Sequence, residues 1–164
     1  MKRFKDVDEA LALFEYYEIK RDKALSQNGD SKTANQCFDN VTKIVLYLKR
    51  NECVYLLERF HNHPNLAVKV NAAILTLPLD ETKSLRILKD IAKMNVRSAL
   101  SAETAIREWK NGNLKPYLIG LCTNQQVPEK KIKRNTLKDL KELICRVLIN
   151  VGLVTCKEHS DREK

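Results

Sequence analysis

Residues 66–77 constrain the fold more than any other stretch of this chain. Nine of these twelve side chains are apolar: Leu66, Ala67, Val68, Val70, Ala72, Ala73, Ile74, Leu75 and Leu77. The polar exceptions are Lys69, Asn71 and Thr76. A helix apolar on nearly every side has to be covered by other elements on most of its surface. His61-Asn62-His63-Pro64 precedes it, and the residue before proline is driven out of the α region. Asn65 is then suited to cap the helix, and Leu77-Pro78 to stop it. The surrounding chain therefore has to supply several amphipathic partners.

It does so at helical spacing. Ala10, Leu13, Phe14, Tyr17, Ala24 and Leu25 form one stripe, which Asn28-Gly29-Asp30 interrupts as a turn. Ala34, Cys37, Phe38, Val41, Ile44, Val45 and Leu48 form a second, and Cys53, Leu56, Leu57 and Phe60 a shorter third. Beyond the apolar helix, Asp80 is placed to cap a fifth helix carrying Ile87, Leu88, Ile91 and Ala92. A sixth starts near Ser98, carries Ala102, Ala105, Ile106 and Trp109, and closes at Asn111-Gly112. Residues 113–134 are the least patterned. Thr136-x-x-Asp139 resembles a capping box opening a last helix, with Leu137, Leu140, Ile144, Val147, Leu148 and Val151 on one face. No alternating run is long enough for a sheet. The expectation is an all-α chain of about seven helices, arranged as an array over residues 1–116 with a basic C-terminal extension over 117–164.

Helices three to six read as two successive helical pairs. His63-Pro64-Asn65-Leu66-Ala67-Val68-Lys69-Val70-Asn71-Ala72-Ala73 is echoed some thirty residues later by Asn95-Val96-Arg97-Ser98-Ala99 and Ala102. Short helices repeating at that period suggest a stacked array. On these residues, with Leu75, Pro78, Leu88, Ile91-Ala92, Ala105 and Trp109-Lys110-Asn111-Gly112, residues 10–116 resemble the HEAT-repeat superfamily. More narrowly, they are similar to a small bacterial HEAT-like family whose function is not established. In such repeats an acidic residue often precedes a valine–arginine pair; Asn65 and Lys69 stand at those places here. The resemblance implies binding of other macromolecules along a helical face. Small bacterial proteins of this kind include immunity proteins that neutralise a toxin, and a few HEAT-like proteins act on damaged DNA.

Charge bears on the partner. The chain has 30 Lys and Arg against 21 Asp and Glu, for a net charge of +9. Residues 113–164 hold 11 basic and 6 acidic side chains, so the last third is the more basic part. Lys130, Lys131, Lys133, Arg134, Lys138 and Lys141 cluster within it. Such a patch pairs with phosphates or with an acidic protein face, or simply solvates a loop and a helix start. It lacks the interleaved aromatics on which single strands stack, which lowers an RNA or single-stranded DNA reading; a protein partner is expected ahead of nucleic acid. Tyr16 and Tyr47 lie off the main stripes and are candidate anchors for such a partner.

Catalytic and metal signals are sparse. The four glycines are isolated, so no phosphate loop is formed. Asp8-Glu9 and Asp80-Glu81 sit where first helical turns favour acidic side chains. His61 and His63 with Cys53 would be the only metal candidates, but the alternative is histidines bonding helix-end carbonyls. Trp109 lies on an apolar stripe and reads as core. The five cysteines include no C-x-x-C pair, as in a reduced protein. No apolar span or signal sequence is visible. The sequence thus predicts a cytoplasmic, non-enzymatic binding protein without cofactor or metal, its expected partner a toxin domain.

Overall fold

In a computed structural model of the chain, residues 4–27 and 29–122 are described. Among them the fold is all-α, with seven helical segments and no strand. These are α1 (Val7–Gln27), α2 (Ser31–Arg50), a 3-10 helix (Val54–Asn62), α3 (Leu66–Leu75), α4 (Glu81–Ala92), α5 (Arg97–Lys110) and α6 (Lys115–Cys122). The cluster 130–141 and the helix expected from Thr136 lie outside the described residues.

Local signals set most boundaries. Gly29 turns the chain at φ +59°, and the Asp30 side chain then accepts from the Thr33 amide at 3.0 Å to cap α2. Asn65 caps α3 by accepting from both the Ala67 and Val68 amides, at 3.0 and 3.1 Å. Asp80 does the same for α4 through the Lys83 amide at 2.9 Å. Gly112, at φ +79°, ends α5 with its N–H on the Trp109 carbonyl, a conformation that costs a Cβ-bearing residue more.

The helices associate as successive pairs: α1 with α2, the 3-10 helix with α3, and α4 with α5. Helix α3 also touches α1, α4 and α5, which is what its all-round apolar sequence requires. Val68, Val70, Ala72, Ala73 and Leu75 on it are buried, and the two alanines admit close neighbours. Phe14 of α1 meets Phe60 of the 3-10 helix with ring centroids 5.5 Å apart. One continuous core runs from Ala10 to Leu121.

Three departures from the sequence reading have physical causes. The third segment is a 3-10 helix rather than an α-helix. It buries Val54, Leu57 and Phe60, a spacing of three that matches three residues per turn, and leaves Cys53 and Leu56 only partly covered. Residues 115–122, expected to be unpatterned, form α6; Leu114, Leu118 and Leu121 bury against α2 and the 3-10 helix, and Pro116 is tolerated in a first turn. On α1 the buried face runs through Leu11, Phe14, Glu18, Arg21 and Ala24, while Leu13, Tyr17 and Leu25 are partly exposed. A charged pair occupies the gap where the expected stripe had no apolar residue between 17 and 24.

Candidate functional site

That charged pair belongs to a polar seam joining α1 to α3. Glu15, Glu18 and Asp22 recur at three and four residues, so they share one side of α1. Each has a partner near α3. His63 meets Glu15 at 3.0 Å through Nε2, and Asn71 Nδ2 donates to Glu18 at 2.9 Å. Asn65 Nδ2 donates to Asp22 at 3.3 Å. Because the His63 Nδ1 accepts from the Asn65 amide, its Nε2 carries the proton given to Glu15. Glu18 is 1% exposed and pairs with Arg21 at 3.0 Å, whose guanidinium also lies over the Phe38 ring. Burial pushes the Glu18 carboxyl above its ordinary value, against the opposing pull of Arg21 and Asn71.

Where the seam meets α5 a cleft opens. It is lined by Arg21, Asp22 and Leu25 of α1, Ala67, Val70 and Asn71 of α3, and Arg97, Ser98 and Ser101 of α5, with a cavity of about 30 Å³. The α5 side is unlike the other capped starts. Val96 stands at the N-cap and offers no side-chain acceptor, and the third amide of the helix, that of Ala99, bonds the Val96 carbonyl at 3.0 Å instead. The echo seen in sequence explains the contrast. Val68-Lys69 lies inside α3 behind the capping Asn65, whereas Val96-Arg97 is itself the start of α5. The flank of this turn carries exposed apolar side chains, with Met94, Val96 and Leu100 at 43, 41 and 49%.

The histidines do not converge. His61 is buried, with Nε2 2.8 Å from Thr76 Oγ1, which also approaches Ser84 Oγ at 3.2 Å. Thr76 Oγ1 donates its proton to the Ala72 carbonyl, so it accepts from His61 Nε2–H. His61 Nδ1 is then a buried lone pair without a partner. Desolvation, reinforced by Lys83, holds the His61 pKa below its ordinary value. This trio pins the 3-10 helix to α3 and α4. His61 and His63 thus bond mainly to side chains and a backbone amide, where the sequence suggested helix-end carbonyls. Trp109 is buried as expected, with Lys115 Nζ 5.4 Å from its ring centroid.

The two candidate anchors have different surroundings. Tyr16 is exposed, edge-on to Tyr17 and under Lys20 Nζ. Tyr47 is half-buried, its ring centroid 4.8 Å from that of Phe4. Neither lines the cleft. Lys130, Lys131, Lys133, Arg134, Lys138 and Lys141 lie outside the described residues. Sequence reasoning missed Glu18, Arg21, Asn71, Arg97 and Ser101. The available signal was an acidic stripe at helical spacing interrupting an apolar one.

No helix among the described residues is long and apolar enough to cross a membrane, and no group of three or more His, Cys, Asp and Glu there is arranged to hold a metal. Comparison of the chain with protein-family models, curated proteins and solved structures finds no match.

Proposed function

We propose that this is a non-enzymatic, cytoplasmic protein-binding module, in its sharpest form a bacterial immunity protein that occludes a cognate toxin. The observation that carries this reading is the turn between α4 and α5. Met94, Val96 and Leu100 are all exposed within seven residues, beside Lys93 and Arg97. Exposed apolar groups rimmed by charge mark interaction surfaces, and methionine and arginine are enriched in them. The succession of helical pairs supports the HEAT-like reading of residues 10–116, and such arrays use a helical face for binding.

The test is co-expression with the product of the adjacent gene, followed by gel filtration. The reading predicts a single complex burying at least about 1,200 Å² in total. Leu100→Asp should abolish that complex while leaving the fold within about 0.5 kcal/mol of wild type, because the side chain is half exposed. A complex indifferent to Leu100→Asp, or no complex at all, contradicts the proposal. Nucleic-acid binding with a log–log salt slope of about −0.9 per phosphate contact, in place of protein binding, would equally overturn it.

A further inference from the structure

We propose that the buried cluster of His61, Thr76 and Ser84 is a proton-sensitive latch: a second proton on the His61 ring detaches the 3-10 helix from the end of α3 and the start of α4, while the α1–α2 and α4–α5 pairs stay folded. The latch is independent of the protein-binding reading.

Three elements build the cluster. His61 lies near the end of the 3-10 helix, Thr76 directly follows α3, and Ser84 is in the first turn of α4. Their exposures are 2, 0 and 0%, so water does not share their bonds. A hydroxyl has one proton and two lone pairs, which settles the bonding at Thr76. It donates to the Ala72 carbonyl at 2.9 Å and accepts from His61 Nε2–H at 2.8 Å and from the Ser84 hydroxyl at 3.2 Å. The neutral ring with its proton on Nε2 is the state this arrangement fits. Its Nδ1 is buried and has no partner among the described residues. A second proton would create a charged N–H there with no acceptor. Burying such a donor is costly, and moving the ring out to water relieves it.

The surrounding charges do not supply the missing acceptor. Lys83 of α4 and Lys69 of α3 oppose a charged ring, while Glu58 of the 3-10 helix and Asp80 before α4 favour one. Both carboxylates are engaged elsewhere, Glu58 with Lys83 Nζ at 2.7 Å and Asp80 with the Lys83 amide at 2.9 Å. Burial is the largest influence and, with Lys83, keeps the ring neutral. His63 is the second titratable ring of the segment. Its Nε2–H meets Glu15 at 3.0 Å, a contact that a charged ring retains.

The 3-10 helix is the element poised to move. Its backbone bonds have poorer geometry than those of an α-helix, and local opening draws on the less stable elements of a fold. Among the described residues two polar ties hold it to α4: the Glu58–Lys83 bridge and the His61 cluster. The bridge is about a third exposed or more at both ends and contributes little on its own. Protonating His61 therefore removes the tie that matters on that side.

The experiment is NMR on the full chain between pH 7.5 and 5.5. Ring nitrogen shifts of His61 should show a protonated Nε2 and a free lone pair on Nδ1 at the upper end. Amide exchange, corrected for its intrinsic pH dependence, is then compared between the 3-10 helix and α2. Protection in the 3-10 helix should fall by up to about tenfold per pH unit below 6.5, the limit for one proton, with a smaller loss in α2. His61→Gln keeps a donor for Thr76 and cannot charge, so it should abolish that pH dependence. His63→Gln should retain it. A pH dependence that survives His61→Gln, or that vanishes in His63→Gln, overturns the latch. Equal loss of protection in α2 makes the transition global and overturns it too. Should His61→Gln not fold, the wild-type chain decides alone: a His61 ring that charges while the 3-10 helix stays protected contradicts the proposal, and loss of both together upholds it.

Discussion

Two buried titratable groups do opposite things to stability. His61 is held neutral in the fold because burial and Lys83 disfavour its charged form. As pH falls below its ordinary value of 6.5, the unfolded chain takes up a proton that the folded chain resists, so folding stability drops. The slope is at most about 1.4 kcal/mol per pH unit, and His61→Gln should flatten it in urea titrations between pH 7.5 and 5.5. Glu18 has the reverse sign. Its folded pKa lies above the ordinary 4.5, so stability falls as pH rises from 4.5 through the folded value. Glu18→Gln removes that dependence. Glu18→Ala strands the Arg21 guanidinium in a buried setting and should cost about 3–5 kcal/mol in the same measurement. If Glu18→Ala costs no more than a surface substitution, the seam between α1 and α3 is not holding those helices together.

Elements were legible wherever a single side chain could state a boundary. Asp30, Asn65 and Asp80 cap the next helix with bonds to amides two or three residues on, and Gly112 closes one through its own backbone. Losing such a cap has a local cost: Asn65→Ala should destabilise by about 1–2 kcal/mol, judged by thermal unfolding, and Asn65→Asp, which keeps the cap acceptor, still destabilises because it sets a second carboxylate against Asp22. Gly112→Ala meets no atom within 4 Å and should still cost about 1 kcal/mol, because the strain is in its φ of +79°. The 3-10 helix was not legible, since Cys53, Leu56, Leu57 and Phe60 suit an α-helical period while the structure uses Val54, Leu57 and Phe60. Helix α6 was hidden by Pro116 and Gly120 in a segment with three buried leucines. The candidate site was the least legible part. Glu18 finds Asn71 across 53 residues of chain, and no local pattern encodes that meeting.

For the whole molecule, the partners found by α1 and α5 give the net charge of +9 a more definite setting. The acidic side chains of α1 are engaged internally, where Glu15, Glu18 and Asp22 bond His63, Asn71 and Asn65 and Glu18 also pairs with Arg21. Arg97, by contrast, stands unpaired among the described residues at an uncapped helix start, with three exposed apolar neighbours. The proposed recognition surface is therefore the α4–α5 turn with the cleft beside it. Hydrogen–deuterium exchange on the complex with the adjacent gene product tests that placement most directly. Protection gained across residues 93–101 and 18–25 on binding is the predicted result. Protection gained only elsewhere, with residues 93–101 exchanging as in the free protein, would contradict it.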